Sequence, residues 1–147
     1  MKRIPDGSVN RGVLKLKKVS RGHYSDSKSE LYISGEKGKA FATAIHEFGH
    51  RMEHTFSEIL SAESEFYSRR TQNESLVKLK SLFPKSKYRD DEVTRKDKFL
   101  SAYMGKDYKG KAYELVSVGF EKAFTDPEFL LKDTDMAEWI FGLLALV

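Results

Sequence analysis

The sequence contains no cysteine. Disulfide bonds, thiolate zinc ligands and a cysteine nucleophile are therefore all excluded, and any metal site must be built from histidine, glutamate and aspartate. Long apolar runs are also missing. The most apolar stretch, residues 139–147, is far too short to cross a bilayer. No apolar signal-peptide core follows the first residues, so we expect a cytoplasmic protein with no membrane partner.

The chain of 147 residues has the length of one ordinary domain. We expect residues 1–147 to form a single domain, and this size also suits a domain cut from a longer protein. The net charge of +4 is concentrated near the start of the chain. Leu14 and Leu16 alternate there with Lys15 and Lys17, which favours the solvated face of a strand over a nucleic-acid interface. We therefore rank a nucleic-acid partner last.

The hydrophobic pattern predicts an α+β fold that is mainly helical, with a small N-terminal β-sheet. Strands are expected at residues 12–19 and 31–33, separated by a loop at 22–28. Helices are expected from 40 to at least 60, at 75–83 and at 111–125, with a surface loop at 85–98. One or two closing helices at 128–147 are expected to bury Trp139, Ile140, Leu143 and Leu144.

The helix that begins near residue 40 has apolar residues at spacings of three and four, which predicts a stripe facing the core. The stripe consists of Phe41, Ala44, Ile45, Phe48, Met52, Phe56 and Ile59. A helical wheel places His46 and His50 on the other side. We therefore expect both histidines to point away from the core, towards a cleft.

Two of the chain's four histidines lie in the run HEFGH at residues 46–50. Residues four apart lie on one face of a helix, so His46 and His50 can reach the same metal ion. Glu47 lies about 100° further round the helix, close enough to contact a metal-bound water. Two neutral nitrogens and a neighbouring carboxylate are what a zinc hydrolase needs to bind Zn²⁺ and deprotonate its water.

A catalytic zinc site needs a third protein ligand. His54 continues the histidine stripe, but it lies ~12 Å along the helix axis from His46, too far to share one ion. Glu114 is the expected third ligand because it forms a narrow polar stripe with Ser117 and Glu121 on an otherwise apolar helix. A carboxylate there is costly unless it is paired with a charge or a metal. The alternatives are Glu121, Glu53 and His54.

These two segments resemble the gluzincins, the thermolysin-like zinc peptidases. In that family, a helix carrying HExxH is followed by a second helix that supplies a glutamate ligand in an E-x-x-[SA] context, as in the string ELVS at 114–117. The chain is also similar to the protease domain of anthrax lethal factor, which shares the HEFGH string. The strings RGHYS at 21–25, YMGK at 103–106 and YELVSVGFE at 113–121 resemble a zincin-like domain of bacteriophage minor head or structural proteins.

The resemblance implies a zincin-like fold, a bound Zn²⁺ and a tyrosine that stabilises the tetrahedral oxyanion. Tyr103 is the first choice for that tyrosine and Tyr108 the rival. It also implies that strand 31–33 is an edge strand that pairs with an extended substrate. The sequence departs from the thermolysin pattern at Val118, where an aspartate normally orients a histidine ligand. Glu121 or a backbone carbonyl would have to take that role.

The resulting hypothesis is a zinc-dependent peptidase in which His46, His50 and Glu114 bind Zn²⁺ and Glu47 acts as general base. Its partner would be a peptide or protein substrate. The alternative is a non-catalytic, zinc-stabilised module of a phage particle or assembly, with phage structural proteins as partners and a place in the virion.

Overall fold

The N-terminal part of the chain forms a three-stranded sheet. The computed structural model describes residues 15–36 and 38–146. Within them, β1 (Lys15–Val19), β2 (His23–Ser25) and β3 (Glu30–Ser34) are arranged in the order β1-β3-β2. β1 runs parallel to β3, and β2 runs antiparallel to it. Both edges of β3 are therefore paired, and β2 lies at the edge of the described sheet.

Two predictions about this region are wrong. The expected loop at 22–28 contains β2 and a short 3-10 helix, Asp26–Lys28. The expected edge strand at 31–33 lies in β3 and is the central strand, so it has no free edge to offer a substrate. The strand expected at 12–19 is observed from residue 15; residues 12–14 lie outside the described part.

The central helix of the prediction is two helices. α1 spans Ala40–Thr55 and α2 spans Ser57–Arg70. Between them Phe56 adopts extended backbone angles, φ −120° and ψ 105°, which interrupt the ladder of helical hydrogen bonds. The expectation of one helix from 40 to at least 60 is therefore wrong. Phe56 thus ends α1 and begins α2, and the two helices are in contact.

The second half of the chain begins with two short strands and a four-residue helix, and three further helices follow. β4 (Val77–Lys78) continues into α3 (Leu79–Leu82) and pairs with β5 (Val93–Thr94). The helix expected at 75–83 is thus reduced to four residues, and the loop expected at 85–98 contains one short strand. The last elements are α4 (Leu115–Thr125), α5 (Pro127–Leu130) and α6 (Thr134–Leu144). The two closing helices are confirmed.

The main core lies among α1, α2, α4 and α6. Its most buried members include Met52, Ile59, Phe66, Leu115, Val116, Phe120, Leu130, Met136, Ile140 and Leu143. Trp139 and Leu144 pack against this core. Of the described helices, none has the length and apolar character needed to cross a bilayer.

The predicted core face of α1 is only partly right. Met52 and Ile59 are buried, but Phe41 is 62% exposed and Phe48 is 39% exposed. The reason is that α1 packs mainly against α4 and against β3, and the α4 contact lies on the histidine side of the helix. His46 and His50 line a pocket, in agreement with the expected cleft, and this pocket lies where α1 meets the start of α4.

Candidate metal site

His46 and His50 lie one turn apart on α1, and Glu114 lies immediately before the first turn of α4. The Nε2 atoms of both histidines approach the same oxygen, Oε2 of Glu114, each at 3.4 Å. The three donor atoms all lie within 4.8 Å of one another. The structure thus brings together the three residues that the sequence proposed as ligands, from segments far apart in the chain.

The two 3.4 Å spacings from the histidine nitrogens to Glu114 match those between neighbouring ligands of a tetrahedral metal ion. Bonds of about 2.0–2.2 Å at tetrahedral angles separate neighbouring ligand atoms by about 3.3–3.5 Å, whereas a direct hydrogen bond would bring them to about 2.7–3.2 Å. Two imidazole nitrogens and one carboxylate oxygen also form a donor set used by zinc hydrolases. The same donors suit other first-row transition metals, so the geometry supports a metal site without selecting the metal.

The charges of the three side chains depend on one another. Burial opposes a charge on His46 and His50, but their contacts with Glu114 outweigh burial and raise the pKa of His46 to about 9 and that of His50 to about 10. Burial raises the pKa of Glu114, yet the two histidines more than offset this and lower it well below its ordinary value. Without a metal, the site therefore holds protons that an incoming cation must displace.

The second nitrogen of each histidine faces another carboxylate. Nδ1 of His50 lies 2.7 Å from Oε2 of Glu53. Nδ1 of His46 lies 3.2 Å from Oε2 of Glu121, but it is not aligned for a hydrogen bond. From the sequence we expected Glu121 or a backbone carbonyl to orient a histidine, and Glu121 is the group that lies beside His46. Glu53 was expected only as an alternative ligand.

Both candidate tyrosines contact the carboxylate of Glu114. The hydroxyl of Tyr103 donates to Oε1 of Glu114 at 2.7 Å, and the hydroxyl of Tyr108 donates to the same oxygen. Burial raises the pKa of both tyrosines, so both remain neutral phenols. Ser117 donates to Oε2 at 3.1 Å. Each phenol thus uses its single O–H donor in a hydrogen bond to Glu114. It must turn away from Oε1 before it can donate a hydrogen bond to a substrate.

Glu47 lies beside the same site with its side chain turned towards β2. Burial raises the pKa of Glu47, while the charges of His46 and His50 and the nearby backbone of Tyr24 lower it. The net shift is upwards, in the direction that suits a general base working near neutral pH. The carboxylate lies against the chain just before β2, where a Cβ at Gly22 would be 3.2 Å from Oε1 of Glu47.

A pocket of about 470 Å³ opens over these residues. It is lined by the three proposed ligands, Glu47, both tyrosines, residues 21–24 and His54. His54 is exposed, and its ring lies 5.8 Å from that of Tyr24. Among the described residues, the converging donor group consists of His46, His50 and Glu114, so His54, Glu53 and Glu121 are not part of it.

No protein-family model, curated protein or solved structure matches the chain. Its function therefore has to be argued from the site itself.

Proposed function

We propose that this chain is a zinc-dependent peptidase of the gluzincin type. The observation that carries the proposal is the convergence of donor atoms of His46, His50 and Glu114 within 4.8 Å of one another, with Glu47 lining the same open pocket. Three protein ligands leave a fourth position for water, which is the arrangement of catalytic rather than structural zinc sites. A zinc ion bound there would lower the pKa of that water and polarise the carbonyl of a peptide bond.

The protein groups supply the proton transfer. The carboxylate of Glu47 accepts a proton from the attacking water and later delivers it to the nitrogen of the leaving amine. Glu47 is buried, with 7% of its surface exposed, and it lines the same pocket as the proposed ligands. Tyr103, turning from Oε1 of Glu114, donates to the oxyanion that forms on the substrate, with Tyr108 as the rival.

An extended peptide fits the edge of the sheet. β2 pairs with β3 on one side, and its other side has no partner strand in the described part of the chain. Residues 22–24 of this edge also line the pocket. A peptide that adds to β2 through backbone hydrogen bonds would lie beside the pocket that contains the proposed ligands. This supports a peptide or protein as the substrate.

The central test is the variant Glu47→Gln. The amide keeps the size of the side chain but cannot accept a proton, so we expect the variant to bind about one zinc per chain and to lose hydrolysis of casein or of a peptide library. Wild-type hydrolysis should stop when a chelator removes the metal and return when zinc is added. Unchanged hydrolysis in Glu47→Gln would refute the proposed mechanism.

One observation favours a second function, a non-catalytic zinc module of a phage particle or assembly. Both tyrosine hydroxyls already donate to Glu114, so neither has a proton left for a substrate unless it moves. In a structural site, the two phenols would only hold the ligand in place. Zinc bound at one equivalent, with no hydrolysis of any peptide in a library, would select this function.

A further inference from the structure

Glu53 connects the two ligand-bearing segments. Its side chain is only 2% exposed. One oxygen, Oε2, lies 2.7 Å from Nδ1 of His50. The other, Oε1, accepts a hydrogen bond of 2.9 Å from the backbone N–H of Tyr113, the residue immediately before Glu114. The buried carboxylate of Glu53 therefore contacts both His50, a proposed ligand on α1, and the backbone next to Glu114, the proposed ligand before α4.

A second buried carboxylate, Glu63 on α2, contacts the backbone near Glu114. It is fully buried, and its Oε1 accepts a hydrogen bond of 2.7 Å from the backbone N–H of Val116, in the first turn of α4. Burial raises the pKa of Glu63 well above its ordinary value, and the nearby Glu53 carboxylate raises it further. Oε2 of Glu63 is buried and makes no hydrogen bond in the described structure. A protonated Glu63 would have one hydrogen to donate, and the nearby Glu53 carboxylate is the acceptor that would satisfy it.

We propose that Glu53 is a positioning residue that holds His50 and Glu114 at the distance a metal requires, and that Glu63 keeps Glu53 and the start of α4 in place. This inference rests on the proposed zinc site. Glu53 can do this because both of its oxygens are acceptors, so it satisfies the ring N–H of His50 and the backbone N–H of Tyr113 together.

An amide at position 53 cannot make both contacts, because it offers one acceptor and one donor. If its NH₂ group faces His50, the ring can accept that hydrogen bond only by moving its own proton to Nε2, the atom that must bind the metal. If the NH₂ group faces Tyr113, two donors meet and the segment carrying Glu114 must shift. At position 63, by contrast, an amide reproduces the neutral acid: its oxygen accepts from Val116 and its NH₂ group donates to Glu53.

The test compares the same chemical change at the two buried positions. Zinc affinity is measured by competition with a chromophoric chelator for wild type, Glu53→Gln, Glu63→Gln and Glu63→Leu, and thermal unfolding of each is followed in EDTA. We expect Glu53→Gln to weaken zinc binding by about 10–100-fold, with Glu63→Gln close to wild type. Glu63→Leu should also bind zinc more weakly, so that the amide restores what the leucine loses. If Glu53→Gln does not fold, Glu53→Asp replaces it, since the shorter acid keeps the charge but cannot reach both partners.

The outcomes separate the two proposals. Wild-type affinity in the Glu53 variant, or equal losses in Glu53→Gln and Glu63→Gln, overturns the positioning role while leaving the zinc site intact. A wild-type chain that binds no zinc overturns the proposed function and this inference together.

Discussion

Gly49 packs directly against the backbone of Ser117. A Cβ atom at position 49 would lie 2.5 Å from the Cα of Ser117 and 3.0 Å from its backbone nitrogen. Backbone atoms cannot move aside as the end of a flexible side chain can. The glycine inside the HEFGH run therefore permits the close approach of α1 and α4, and this approach brings Glu114 to His46 and His50.

The first prediction follows from that contact. Gly49→Ala should destabilise the fold by about 1–3 kcal/mol, because the added methyl group forces the two helices apart, and it should weaken zinc binding. Thermal unfolding and zinc titration measure the two effects. Gly142→Ala is the matched control: a Cβ there meets nothing within 4 Å, so helix propensity alone should make it neutral or slightly stabilising. Equal stability of the two variants would contradict the packing argument.

The second prediction concerns the ligands. His50→Ala and Glu114→Ala should each lose stoichiometric zinc, because two remaining protein ligands do not hold the ion tightly. Metal content after dialysis, measured by atomic emission, gives the result directly. His54→Ala changes a nearby histidine that lines the pocket without joining the donor group, so it should keep about one zinc per chain. If Glu114→Ala keeps its zinc, Glu114 is not the third ligand and another residue must take that role.

The third prediction separates the two tyrosines. Tyr103→Phe should lower kcat by about 10²–10³ if Tyr103 donates to the oxyanion, with little change in KM. Each substitution removes one of the two hydrogen bonds to Oε1 of Glu114, so both variants should lose some zinc affinity, and for Tyr108→Phe this loss should be the main effect. Steady-state kinetics and zinc titration of both variants decide the question. The reverse pattern would assign the catalytic role to Tyr108.

The fourth prediction is a pH dependence of the metal-free protein. The folded-state pKa values of His46 and His50, about 9 and about 10, lie above their ordinary value of 6.5. Their contribution to stability is therefore complete below about pH 6.5 and is lost as the pH rises through 9 to 10. One pKa unit corresponds to about 1.4 kcal/mol, so Tm in EDTA should fall by several degrees over that range.

Because lysines and tyrosines also titrate at high pH, the comparison for this prediction is with His50→Gln. That variant should show a smaller fall in Tm between pH 6.5 and 10. With zinc present the trend should reverse, since protons compete with the metal for both imidazoles. A pH profile of Tm that is identical in wild type and His50→Gln would show that the histidine carries no such contribution.

The proposed metal ligands could be found by sequence reasoning because each has a local signal. His46 and His50 are one helical turn apart, and Glu114 stands out as an acid in an apolar segment. The supporting carboxylates were not accessible in the same way. Glu53 and Glu63 lie in charged stretches and look like surface residues, and only tertiary packing shows that they are buried and bonded to backbone N–H groups.

The errors in the fold have a similar origin. The wheel for α1 assumed that the apolar stripe alone faces the core, but α1 packs against both α4 and β3, and Phe41 in the stripe is exposed. The segment 23–25 has no alternating pattern, so its pairing with β3 could not be read from the residues themselves. The break at Phe56 likewise interrupts a pattern that continues smoothly through it.

The hydrogen bond from Tyr113 to Glu53 spans 60 residues of the chain, and the proposed third ligand comes from the far end of that span. The residues of the proposed site therefore cannot come together until synthesis has passed residue 114 and the segment before α4 has docked on α1. A fragment that ends before this segment would lack the third proposed ligand.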